Sequence, residues 1–128
     1  MSFRSWIGRL FGGGEVEPPP PLPQAERRDY TASELAHYDG SDPQRALLFA
    51  VSGDVYDVGR GRAFYGPGGP YSMFAGKDCT RALAKMSFEP EDFTGDTDGL
   101  TQDERDKLQD WIETLSGKYD KVGKLIVD

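Results

Sequence analysis

Apolar positions along the chain change period several times, and each change marks an element. Phe3, Trp6, Ile7, Leu10 and Phe11 recur at helical spacing, with Arg4, Ser5 and Arg9 left for the other face, so residues 1–11 predict a short amphipathic segment. Gly8 interrupts it, and at about three turns such a helix is marginal in water and forms on a lipid surface or in a protein groove. The periodicity then stops. Gly12, Gly13 and Gly14 end the segment, and Pro18 to Pro21 with Pro23 predict an extended polyproline spacer.

From Thr31 onward the pattern is that of a folded domain. Thr31 and Glu34 form a capping box that starts a short helix bearing Leu35 and Tyr38 and ending by Gly40. Residues 46–51 are continuously apolar and residues 54–58 alternate, with Ser52-Gly53 between them, which predicts a β-hairpin. Asp78 suits the cap of a helix running to Lys85 with Leu83 facing inward. Thr101 and Glu104 form a second capping box, and the helix that follows carries Leu108, Trp111, Ile112 and Leu115 at core spacing. Residues 122–127 predict a final strand. The fold class expected is therefore α+β, a short sheet with helices. The division expected is an amphipathic arm at 1–14, a proline-rich linker at 15–28 and a domain at 29–128.

Composition narrows the partners. At 128 residues the chain holds one domain of about 100 residues plus an arm, with a modest core. The formal charge of −7 argues against nucleic acid and favours basic partners. The single cysteine, Cys79, has no intramolecular partner and reads as a buried structural thiol, as in a cytosolic protein. The sequence has no asparagine to glycosylate and no run of about 20 apolar residues that would span a membrane. An acidic connection at 88–99 reads as a solvated flap. Asp96-Thr97-Asp98-Gly99 within it hints at a calcium loop, but the loop register puts Thr94 first and Arg105 last, which excludes the usual ligands.

The chemistry concentrates in residues 64–85, FYGPGGPYSMFAGKDCTRALAK. Pro67 and Pro70 fix φ while the glycines between permit close backbone approach, so this loop is a shaped rim. Pro70 suits the first turn of a helix, which places Tyr71 at a helix start with its phenol toward a pocket lined by Met73 and Phe74. A tyrosine in such a loop is by default a packing residue with a hydrogen-bonded tip.

Four blocks in order, YTASELAHYDG, LLFAVSGDVYDV, FYGPGGPY with FAGKDCTRALA, and KYDKVGKL, resemble the membrane-associated progesterone receptor family, a branch of the cytochrome b5-like fold. The resemblance runs from about Tyr30 to Val127. It implies a haem pocket in which the second loop tyrosine, Tyr71, binds the iron of haem b, while Tyr65, Lys118 and Tyr119 hold the propionates. Ferric iron can displace the phenol proton at neutral pH, and tyrosinate favours ferric over ferrous iron. A lysine beside a tyrosine supplies a charge and a hydroxyl from one short segment.

The resemblance further implies a binding module without turnover that supports sterol or haem metabolism, including haem-thiolate monooxygenases. The expected location is the cytosolic face of an internal membrane such as the endoplasmic reticulum, reached through the arm, with a mitochondrial presequence as the alternative. The open sixth iron position leaves room for self-association as a homodimer. Two rival readings remain: an electron carrier of the cytochrome b5 class, and a haem-free steroid- or protein-binding module. The only histidine is His37, read as a capping or surface residue, so ligation by two histidines is ruled out.

Overall fold

The computed structural model describes residues 22–128. The amphipathic segment expected at 1–11, the glycines at 12–14 and Pro18 to Pro21 lie outside the described residues.

Two strands form the expected hairpin. β1 (Tyr30–Thr31) precedes it; β2 (Leu48–Val51) and β3 (Asp54–Asp57) pair antiparallel with Leu48 opposite Asp57 and Val51 opposite Asp54. Its turn requires left-handed backbone at both central positions, with φ of 50° at Ser52 and 81° at Gly53, the geometry that matches the twist of the flanking strands. β4 (Asp120–Ile126) pairs antiparallel with β3 and parallel with β1, giving the order β1-β4-β3-β2. The register of β3 against β4 shifts between Val55 and Tyr56.

The sheet is covered on both faces, which is why residues 46–51 are all buried and do not alternate. Leu48, Ala50, Val55 and Val122 pack with Tyr30 and Leu35 on one face, and Leu47, Phe49, Val51 and Tyr56 pack on the other. The second face carries most of the helical structure. It comprises α2 (Arg62–Tyr65), α3 (Thr80–Lys85) and α4 (Gln102–Lys118), with 3₁₀ turns at Gly59–Gly61, Ser72–Phe74 and Pro90–Asp92.

Both capping boxes form. Thr31 Oγ1 accepts the Glu34 N–H at 3.1 Å at the head of α1 (Ala32–Leu35), and Thr101 Oγ1 accepts the Glu104 N–H at 3.1 Å at the head of α4. α1 stops at Leu35, short of Gly40, because the chain leaves the helix to cover the hairpin, and the Tyr38 carbonyl takes the Leu48 N–H at 3.1 Å. His37 is exposed just beyond it. At α3 the terminal residue is Cys79, but the carboxylate of Asp78 does the capping, accepting the Thr80 N–H at 3.1 Å and the Thr80 hydroxyl at 2.6 Å. Of the four core-spaced residues of α4, Leu108 and Leu115 are buried, and Trp111 and Ile112 pack on the core half-exposed.

The chain lies against the domain from Leu22 onward. Leu22 packs on the core, the Ala25 N–H donates to Asp57 Oδ2 at 2.9 Å, and the Tyr30 hydroxyl donates to the Glu26 carbonyl at 2.6 Å. The last part of the proline-rich linker expected at 15–28 is thus fixed on the sheet.

Leu115 is 1 % exposed beneath the second face. Leu115→Ala is expected to cost about 2–5 kcal/mol, measured by urea unfolding, because the surrounding sheet and helices collapse only partly around the lost side chain.

Candidate functional site

The Gly/Pro loop is folded back on itself by its own backbone. The Gly66 N–H donates to the Arg62 carbonyl at 2.8 Å, the Gly69 N–H to the Gly66 carbonyl at 3.0 Å, and the Tyr71 N–H to the Phe64 carbonyl at 2.8 Å. That last bond clips the two ends of the loop together and brings Tyr71 beside Tyr65. Pro70 does not open a helix as expected. Tyr71 itself caps the following 3₁₀ turn, with φ −117° and ψ 27°, and the Phe74 N–H donates to its carbonyl at 3.0 Å.

Aromatic rings connect these residues into one wall. Tyr71 stacks on buried Phe74 with centroids 5.7 Å apart and planes within 7°. Tyr65 lies 6.2 Å from Tyr71, 6.3 Å from Tyr119 and 5.1 Å from Phe49, which ties the wall to β2. Phe88 meets both Tyr71 at 6.2 Å and Phe74 at 5.8 Å, and Phe93 meets Phe74 at 5.7 Å. Phe64 and Phe88 expose 54 % and 51 % of their surface beside half-buried Tyr71. The outer side of the wall therefore presents exposed apolar rings.

Tyr119 follows the last residue of α4 and turns inward, whereas Lys118 ends the helix at the solvent edge, where its carbonyl accepts a bond from the Arg60 guanidinium. Gly61 makes the inward turn feasible, since a Cβ there would overlap the Tyr119 hydroxyl. Of the sequence-expected residues, Tyr65, Tyr71 and Tyr119 thus form one chain of rings, with Lys118 at its margin. Phe74 lies under Tyr71, and Met73 is half-buried against the core.

Desolvation sorts the phenols. Burial pushes the Tyr65 phenol up to about 12, with nearby Tyr119 and Tyr71 adding to the shift. Burial also raises Tyr119, offset in part by the positive Arg60. Cys79, fully buried, has its thiol well above the ordinary range through desolvation and directs Sγ to the Phe74 carbonyl at 3.2 Å. It is a packing residue under the wall.

Sequence reasoning missed Phe49, Phe88, Phe93 and Arg60. Phe88 and Phe93 flank Pro90 in the acidic connection, and two large apolar residues in so charged a stretch were the available signal. A cavity of about 590 Å³ lies nearby, lined by Leu22, Ala25, Arg27, Arg60, Arg62 and Asp57 among others, but none of Tyr65, Tyr71, Lys118 and Tyr119 lines it. The aromatic wall, which carries the phenols, is the candidate site. Among the described residues no cluster of histidine, cysteine and carboxylate side chains could hold a metal ion, including at the acidic connection.

Residues 31–125 match the family described as Cytochrome b5-like Heme/Steroid binding domain. The chain belongs to this family. A solved hypothetical protein from Arabidopsis thaliana with a cytochrome b5 like fold superposes with a TM-score of 0.70 at 45% identity, covering 77% of this chain and 90% of that one. Membrane steroid-binding protein 1 of Oryza sativa subsp. japonica is 58% identical over 110 residues, 85% of this chain and 46% of that protein. Membrane-associated progesterone receptor component 2 of Homo sapiens is 39% identical over 135 residues, 98% of this chain and 60% of that protein. The branch is thus the one the sequence resembles, and its fold is cytochrome b5-like. The chain spans about half the length of the first-ranked curated relatives it matches.

The raised Tyr65 phenol fixes the sign of an alkaline transition. The unfolded chain releases this proton near pH 10 and the folded chain near pH 12, so the contribution is intact below about pH 10 and is lost as pH rises toward about 12. Denaturation midpoints taken from pH 8 to pH 12 should fall over that interval, and Tyr65→Phe should fall less steeply. Parallel profiles for the two proteins would contradict the assignment.

Proposed function

We propose that this domain binds haem b through Tyr71 and acts as a binding module without turnover of its own. The observation that carries the reading is a partly exposed phenol stacked on buried Phe74, in an open aromatic wall between Phe64 and Phe88. An iron porphyrin requires an iron donor, a flat apolar bed, and cations or hydroxyls for its two carboxylates. Tyr71 is the donor in this reading, the wall is the bed, and Tyr65, Lys118 and Tyr119 serve the carboxylates. Held there, haem supplies an iron centre that favours the ferric state.

Tyr65 is a neutral hydroxyl donor at physiological pH, as an ordinary phenol is, and burial, which pushes it up to about 12, widens that margin. That suits it to hydrogen-bond a carboxylate and leaves the more exposed Tyr71 for the metal. The rival electron-carrier reading requires two histidine ligands, and the chain has only His37, exposed beyond α1. The names of the relatives, membrane steroid-binding protein among them, favour a steroid as a second occupant of the same apolar wall. The wider role in this reading is support of sterol or haem metabolism beside haem-thiolate monooxygenases, with self-association through the exposed ligand face.

Tyr71→Phe removes only the phenolic oxygen. It should leave the thermal transition nearly unchanged, alter the visible spectrum of added hemin and weaken its binding on the order of tenfold or more. Wild-type affinity with an unchanged spectrum would remove Tyr71 from the role. Tyr65→Phe should weaken hemin less.

The domain would be held at a membrane surface, on the cytosolic side of an internal membrane, by residues 1–14 with the proline-rich linker between. The relatives carry membrane in their names, and no helix among the described residues is long and apolar enough to cross a bilayer. The arm's apolar stripe with Arg4 and Arg9 suits anionic lipid. Flotation with anionic liposomes should retain the full chain and lose a chain starting at Glu15. Equal flotation of the two would assign membrane binding elsewhere.

A further inference from the structure

The 3₁₀ turn at Gly59–Gly61 brings a cation to the edge of the aromatic wall. We infer that Arg60 is an anion anchor of the ligand face, and that this face selects a flat ligand bearing carboxylates over a neutral sterol. The inference rests on the reading that the ligand lies against Tyr71.

Two contacts hold Arg60 at that edge, and its neighbour Gly61 packs there as well. Its guanidinium donates to the Lys118 carbonyl, so the turn is tied to the end of α4. Its Cζ lies 6.0 Å from the centre of the Tyr119 ring. The next residue, Gly61, touches both inward tyrosines: a Cβ there would overlap the Tyr119 hydroxyl and meet Tyr65 Cδ2 at 3.2 Å. Arg60 therefore stands beside the Tyr119 ring, at the end of the helix that Lys118 closes. The Lys118 carbonyl takes one of five guanidinium N–H donors, and the planar fork that remains suits a carboxylate.

Two carboxylates, Asp57 and Asp120, line the same cavity as Arg60. Asp57 accepts the Ala25 N–H at 2.9 Å and the Gly59 N–H at 3.0 Å, and Asp120 lies 3.9 Å from the Arg27 guanidinium. A chain with net charge −7 thus presents a cationic rim at Arg60 where its aromatic wall ends. Such a rim does nothing for a neutral ring system. For a flat ligand with carboxylates it offers charge-assisted hydrogen bonds at the edge while the rings lie on the wall.

The test is titration of the full chain with hemin and with its dimethyl ester, which keeps the iron and the rings but has no carboxylates. The wild-type chain should bind hemin several-fold tighter than the ester. Arg60→Gln should weaken hemin on the order of tenfold and leave the ester unchanged, and Arg60→Lys should recover part of the loss. If the wild-type chain binds no hemin, or Tyr71→Phe binds it as tightly as the wild type, the haem reading fails and this inference fails with it. If hemin binds through Tyr71 but Arg60→Gln keeps wild-type affinity for both ligands, or loses both equally, the anchor role of Arg60 alone is overturned.

Discussion

Three backbone hydrogen bonds along the free edge of β2 hold the aromatic wall in place. The Gly76 N–H donates to the Leu48 carbonyl at 2.7 Å, the Ala50 N–H to the Lys77 carbonyl at 3.0 Å, and the Cys79 N–H to the Ala50 carbonyl at 2.8 Å. They satisfy an edge that would otherwise present unpaired groups, and they fix the register of the segment leading from Tyr71 into α3. Side chains continue the same attachment. Ser52 donates its N–H to Thr80 Oγ1 at 2.9 Å, and Phe49 meets Tyr65 at 5.1 Å and Phe74 at 6.4 Å. The wall is thereby mounted on the sheet through contacts of Phe49 with Tyr65 and Phe74.

The acidic connection after α3 is folded down mainly by Arg81, with Arg105 donating to the Thr97 carbonyl at 3.0 Å. Arg81 donates to the carbonyls of Asp96 at 3.1 Å and Asp98 at 2.8 Å, its Nε lies 3.5 Å from the Asp92 carboxylate, and its own N–H reaches the Thr94 carbonyl at 3.1 Å. These bonds bring Phe88 and Phe93 onto Phe74. The connection is solvated along most of its length, as its charge requires, yet its two phenylalanines complete the aromatic wall. Electrostatic stitching from α3 thus supplies part of an apolar surface.

Polarity across the wall follows depth. The buried side is made of Phe49, Phe74, Cys79 and Tyr65, where desolvation holds the phenol and the thiol protonated. The outer side offers Phe64, Tyr71 and Phe88, and its edge carries Lys118 and Arg60. The inward Tyr119 joins the two zones.

Much of this was legible in the sequence because it is local. The capping boxes at Thr31 and Thr101, the Ser52-Gly53 turn and the core face of α4 each depend on residues a few positions apart, and all form as the pattern predicts. The pairing of Tyr65 with Tyr71 belongs to the same class, since a Gly/Pro loop of fixed length joins them. Tyr119, Arg60, Phe88 and Phe93 come from segments far apart in the chain, and only tertiary structure brings them to one surface. Their spacing in sequence carries no information about that meeting, which depends on the β3–β4 register, on the end of α4 and on the stitching by Arg81. The sequence by itself determined which elements form and which loop is shaped; the tertiary structure decided which aromatic and cationic groups face that loop, because contact between distant segments is set by packing and not by period.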